Sequence, residues 1–343
     1  MHKREAWIDA CRFFAIFVIM TTHFLAMFKP DALLLWERMP TRLLLGGLTG
    51  KFSVAFFFVL LGYFACAPRA FDAKGLLLYA LRRYRQLSLF VLAATACYIL
   101  GAYACTWLFH TPDENVLRVI SDGPRYNLLY ALRDAFLLED NYNATLWCMR
   151  QLFLASVLCR LLGCLPERLD KRLRLLTAAA VLALSAIAGK IWVWLGVAAL
   201  GYVLRLALQI EKLRRAFAGA LRVLLFCAAV CCIKAPLEEG TALYLLQGLG
   251  AFLLLYVLFC TDWAQRLLAS KPFPWLGLRS MGLFVVHTPV NCLLASSLCP
   301  VLAARLPDRA SLPVCYCLSL ALAVTAAWLL HAGYKLVTEK QKT

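Results

Sequence analysis

The chain has 343 residues, of which 63% are hydrophobic and only 16% charged, with a formal net charge of +17. Its mean hydropathy is +0.73, more apolar surface than a soluble domain of this size can bury, so the composition excludes a soluble enzyme and predicts an all-α, polytopic membrane helical bundle. The surplus of Lys and Arg invites a nucleic-acid partner, but the basic residues lie in segments between apolar stretches, which argues against one.

The first apolar stretch, Ile8–Phe28, follows a charged start (His2, Lys3, Arg4) with no small-residue cleavage site, and is read as a retained span rather than a signal peptide. It carries Asp9, Arg12 and His23. Ionisable side chains inside a membrane helix are costly and mark functional positions by default. Arg12 and His23 are separated by close to three helical turns, roughly 16 Å of rise, and so fall on nearly one face. Further spans are expected at Phe52–Pro68, Leu87–Phe109, Thr145–Leu165, Leu173–Gly189, Ile191–Leu208, Ala216–Ile233, Thr241–Cys260, Leu276–Cys299 and Leu312–Leu336. That makes about ten transmembrane helices in one domain covering residues 1–343, with no appended soluble domain. Gly189-Lys190 marks a tight hairpin between the fifth and sixth spans.

With the N-terminus placed inside, the inner segments hold about twice as many Lys and Arg as the outer ones, so both termini are expected in the cytoplasm. Part of the positive charge also faces anionic membrane lipids. Two outer segments, Asp31–Leu45 and Tyr126–Leu138, mix apolar and charged residues at helical spacing and read as interfacial helices. The loop from His110 to Asn143 is expected to cover an external opening, and the sequon at Asn143 abuts a span and is read as incidental. The fifteen cysteines are scattered through apolar runs as small hydrophobes, and no metal site is expected from their spacing.

Several motifs now stand together. Trp7-Ile8-Asp9-Ala10-Cys11-Arg12-Phe13-Phe14-Ala15 is followed by His23. Phe56-Phe57-Phe58-Val59-Leu60-Leu61-Gly62-Tyr63 sits in the second span, and Arg82-Arg83-Tyr84-Arg85 precedes the third. Leu146-Trp147-Cys148-Met149-Arg150 opens the fourth, and the run Gly277 to His287 includes Ser280 and Phe284. In this order they resemble the acyltransferase-3 family of integral membrane acyltransferases across nearly the whole chain. The family pattern has Gly where Phe13 stands, Ser at Leu61, Tyr at Phe284, and Phe-Leu at Cys148-Met149.

The resemblance implies transfer of an acyl group, acetyl above all, from cytoplasmic acetyl-CoA as co-substrate to a hydroxyl of a cell-envelope polysaccharide or lipid-linked sugar, in the inner membrane of a bacterium. An alcohol is a poor nucleophile at neutral pH, so the transfer needs a base. His23 suits that role, and the resemblance also permits a transient acyl-histidine. Arg12 reads as a clamp on the donor with Asp9 orienting it. A simpler account has Arg12 reaching the headgroups and Asp9 capping the helix. Arg82 and Arg85, one turn apart, are implied to grip the donor phosphates, and they also serve as inside-positive anchors. His287 and Ser280 form a second polar wall or make structural hydrogen bonds. Trp147 and Arg150 line the acceptor side, or Arg150 pairs with an acid such as Asp134. Intramembrane Arg and His also mark transport paths, so a transporter or flippase of a glycan precursor, or a non-catalytic sensor, is the alternative. No inverted repeat or matched pair of broken helices supports transport.

Overall fold

A computed structural model describes residues 5–28, 50–109, 128–137, 146–166, 169–189, 192–210, 219–235 and 237–339. The secondary structure described there is helical, with no strand among the described residues. In chain order the helices are α1 (Ala6–Phe28), α2 (Gly50–Ala65), α3 (Ala73–Phe109), α4 (Leu128–Ala135), α5 (Trp147–Leu162), α6 (Lys171–Ile187) and α7 (Val193–Leu208). They continue as α8 (Ala220–Ile233), α9 (Thr241–Phe259), α10 (Asp262–Leu268), α11 (Phe273–Gly277), α12 (Ser280–Ser296), α13 (Leu298–Arg305) and α14 (Asp308–Glu339).

Each of the ten expected stretches contains one of these helices. Their lengths differ from expectation. Four are long and apolar enough to cross a membrane: Ala6–Met27, Ala73–Gly101, Thr241–Phe259 and Ala310–Lys335. A fifth appears if α12 and α13, bent by 50° at Ser297, count together. The helices at the second and sixth expected spans have 16 residues each, about 24 Å of rise against a hydrocarbon core of roughly 30 Å. The second begins at Gly50 and stops at Ala65, before the expected end at Pro68, and the sixth begins at Val193 and ends at Leu208 as expected.

Of the two expected interfacial helices, Asp31–Leu45 lies outside the described residues. Tyr126–Leu138 contains α4, which packs on α3. Most of the His110–Asn143 loop, and the sequon at Asn143, lie outside the described residues. The α6–α7 hairpin forms as expected. Asp170 caps α6, accepting from the backbone N–H of Arg172. Gly189 ends it at φ 98°, a left-handed value that suits glycine alone at low cost.

Two helix interfaces position the site. α2 and α7 cross at Gly62 and Gly201. A Cβ at Gly62 would collide with the Ala198 carbonyl oxygen, and one at Gly201 with that of Val59. Small residues of this kind let membrane helices approach backbone to backbone. α1 packs against α2, α11 and α12. A Cβ at Gly277 of α11 would collide with the backbone carbonyl of Asp9. That contact fixes the start of α1, while the Gly50 end of α2 meets Thr22 near the other end of α1.

Candidate active site

The first turns of α1 are pinned from both sides. Trp7 stacks edge-on against Phe259 at 4.8 Å, and its indole N–H donates to Glu5 at 2.8 Å. Beyond it, Arg12 Nη1 donates to Asp9 Oδ1 at 3.0 Å. The Asp9 side chain is 4% exposed and that of Arg12 is 30% exposed. A desolvated carboxylate thus orients a guanidinium whose outer side remains reachable, and the Arg12 head also lies over the Phe64 ring at 5.3 Å. Asp9 is thus in contact with Arg12, the residue it is expected to orient. Because Asp9 is buried against α11, it does more than cap the helix.

At the other end of α1, the His23 ring meets the His287 ring edge-on at 5.2 Å between centroids. The two histidines come from helices far apart in sequence and occupy one level of the bundle. His287 is fully buried. Its Nδ1–H donates to the Phe284 carbonyl at 2.7 Å, which leaves Nε2 to accept from the Thr288 hydroxyl at 3.2 Å. Both nitrogens of His287 are therefore engaged. Among the described residues His23 makes no hydrogen bond, so it is the ring whose nitrogens are available to a substrate.

Between the Arg12 level and the histidine level lies an apolar cavity of about 50 Å³, lined by Val54, Phe58, Cys148, Leu152, Ser280 and Phe284. Its depth follows from the pairings on either side. Gly277 meets Asp9 and His287 meets His23, so Ser280 to Phe284 fall between. Ser280, 9% exposed, opens onto this cavity and not onto the histidines, which are two turns further along α12. Among the described residues no group of three His, Cys, Asp or Glu is placed to hold a metal ion.

The chain matches the acyltransferase domain family over residues 5–332, nearly its whole length. It belongs to that family. No curated protein and no solved structure matches it. With its apolar helices, membership makes the chain a membrane acyltransferase.

The remaining expected residues of the acyltransferase are more dispersed. Arg82 and Arg85 both point to the exposed side of α3. The residue between them turns inward. Arg83 Nη1 donates to Gln86 at 3.0 Å, its Nε is buried without a partner among the described residues, and Arg12, Tyr79 and Tyr334 are its electrostatic neighbours. Arg160 of α5 lies over the same Tyr79 ring at 4.8 Å. The sequence carried a signal for Arg83 that its flanking arginines obscured. It is one turn before Leu87 and two before Val91, both buried, whereas Arg82 and Arg85 are off that stripe. Trp147 begins α5 at 39% exposed and meets Trp194 at a tilt of 49° and 5.5 Å, within an aromatic group that includes Phe58 and Tyr244. Arg150 is exposed one turn further on. These two border the α5–α7 interface, while Cys148 beside them faces the cavity.

Proposed function

We propose that this membrane acyltransferase moves an acetyl group from cytoplasmic acyl-CoA to a hydroxyl of a cell-envelope polysaccharide or lipid-linked sugar, at the inner membrane of a bacterium. The reading takes the chain to cross the membrane about ten times with both termini in the cytoplasm, in keeping with its distribution of Lys and Arg. The observation that carries it is the contact of His23 with His287 at 5.2 Å, on the helix that also bears the Arg12–Asp9 pair.

In this orientation the arginine end of α1 faces the donor. Arg82 and Arg85, exposed on α3, hold the nucleotide phosphates, and Arg12, oriented by Asp9, holds the donor as its thin arm enters the bundle. The roughly 16 Å between Arg12 and His23 suits an extended arm, and the cavity beside Ser280 lies at intermediate depth. His23 takes the proton of the acceptor hydroxyl as that oxygen attacks the thioester carbonyl carbon. The new C–O bond forms, the C–S bond breaks, and the departing thiolate takes the proton back from His23. His287, locked by Phe284 and Thr288, holds the His23 ring in place. Trp147 and Arg150 flank the acceptor route.

Replacing His23 by Ala tests this. A positioned base contributes roughly 10²–10⁴ in rate, so transfer from labelled acetyl-CoA to extracted envelope glycan should fall by that factor while the protein stays folded. Transfer at the wild-type rate in the variant overturns the assignment. An acyl group trapped on His23 when the acceptor is withheld would replace the base role with a carrier role.

A further inference from the structure

α1, α12 and α14 meet at a polar seam. Thr21 of α1 and Tyr316 of α14 share a hydroxyl hydrogen bond at 2.5 Å. The Ser319 hydroxyl of α14 donates to the side-chain oxygen of Asn291 on α12. Asn291 is 1% exposed, and its Nδ2 is buried with no hydrogen-bond partner among the described residues. It stands one turn beyond His287, so the two side chains leave the same flank of α12, about 5–6 Å apart at Cβ. His287 is the ring that touches His23.

A buried N–H without a partner costs about 1–3 kcal/mol. Leucine would fill the same space without that cost. The amide is also held in one orientation, because Ser319 occupies its oxygen and leaves the N–H side unengaged. A fixed, desolvated donor that costs nothing to reorganise is what a developing oxyanion needs. We propose that Asn291 donates a hydrogen bond through Nδ2 to the acyl carbonyl oxygen as the acceptor hydroxyl attacks. The inference rests on the acyl transfer set out above and adds a catalytic residue to it. As the new C–O bond forms, the carbonyl π electrons move onto oxygen, and Asn291 stabilises that charge. When the C–S bond breaks, the carbonyl re-forms and the hydrogen bond weakens. Ser319 is a positioning residue that sets which face of the amide meets the substrate.

The test uses the full protein in liposomes with labelled acetyl-CoA and extracted envelope glycan, with wild type and His23→Ala in parallel. Asn291→Asp keeps the oxygen held by Ser319 and drops both N–H donors. Asn291→Leu removes the polar group at similar volume. Both should lose about 10²–10³-fold in kcat, with KM for the donor changed less than about 3-fold and, for the leucine variant, no fall in thermal midpoint. Ser319→Ala should lose roughly 10-fold in kcat, the weight of one hydrogen bond. Folded Asn291 variants that keep more than about a third of wild-type kcat, or that lose activity only through KM, overturn the inference while leaving the function standing. If the Asn291 variants do not fold, full kcat in Ser319→Ala overturns it. A wild-type protein that transfers no acyl group overturns both.

Discussion

Along α2 and α7 two backbones touch; along α1 and α12 two imidazole rings touch instead. The first interface is built from Gly62 and Gly201, with Phe58 stacked on Trp194 beside them, and Arg205 of α7 serves it structurally, donating to the Tyr63 carbonyl of α2 at 3.2 Å. The second places His23, His287, Thr288 and, one turn on, Asn291 in a region where every unpaired polar group is expensive. Both sets of helices are predominantly apolar. The difference lies in what the contacts are for. Backbone approach through glycine stabilises a bundle cheaply, since dispersion and close fit are what remain to hold helices together once lipid replaces water. Buried imidazoles and amides contribute little to that, and in the proposed function they serve chemistry.

The sharpest way to break the comparison is to damage the first interface alone. Gly62→Leu drives a side chain into the Ala198 carbonyl, which cannot move without separating α2 from α7. Overpacking of this kind costs about 1–3 kcal/mol and more when backbone is the obstacle. The expected result is loss of monodisperse protein in detergent, or a thermal midpoint lowered by many degrees, with activity lost only in proportion. His23→Ala should show the reverse, full folding and no transfer. A stable Gly62→Leu protein would mean that the two interfaces are not divided between structure and chemistry.

A smaller effect sharpens the chemical side. Arg12→Lys keeps the charge and loses the planar fork that meets Asp9 and a phosphate together. A hydrogen bond to a charged group is worth about 1.5–3 kcal/mol, so kcat/KM for the donor should fall roughly 10- to 100-fold, mostly through KM, at unchanged thermal midpoint. Steady-state kinetics over a range of acetyl-CoA concentrations checks this. A lowered midpoint with unchanged kinetics would move Arg12 from the site to the scaffold.

How much of this was legible beforehand differs between the two interfaces. The polar residues of α1 announced themselves, because Arg12 and His23 stand out in an apolar run and helical periodicity alone puts them on one face. His287 was legible in the same way, as a polar residue of a second wall, but its contact with His23 is a non-local fact. Gly62 and Gly277 were visible as positions in motifs, but their reason, a backbone pressed against Ala198 or Asp9, depends on which helices neighbour one another, and nothing local in the sequence carries that. Asn291 escaped because asparagine in a span is ordinary unless its partner set is known. The contact of Trp147 with Trp194 is likewise a non-local fact. The apolar residues Cys66 and Ala67 continue past the end of α2 at Ala65, so hydropathy does not register that stop, whereas α7 ends at Leu208, where the sequence placed it.

The smallest effect lies at the rim of the first interface. Lys51 at the start of α2 pairs with Glu239 just before α9 at 2.6 Å, and both side chains are nearly half exposed. Glu239 also accepts from the Tyr244 hydroxyl at 2.6 Å. The geometry is good, but water and salt screen such a pair, and exposed ion pairs contribute about 0–1 kcal/mol. Lys51→Met, Glu239→Gln and the double variant form a cycle whose coupling, read from thermal unfolding, should stay below about 1 kcal/mol and shrink with added salt. A larger coupling would show that α2 and α9 are held at their ends as firmly as α2 and α7 are held at their glycines. Strength in this half of the bundle would then come from charge as well as from backbone contact, and the contrast with the histidine seam would be one of degree.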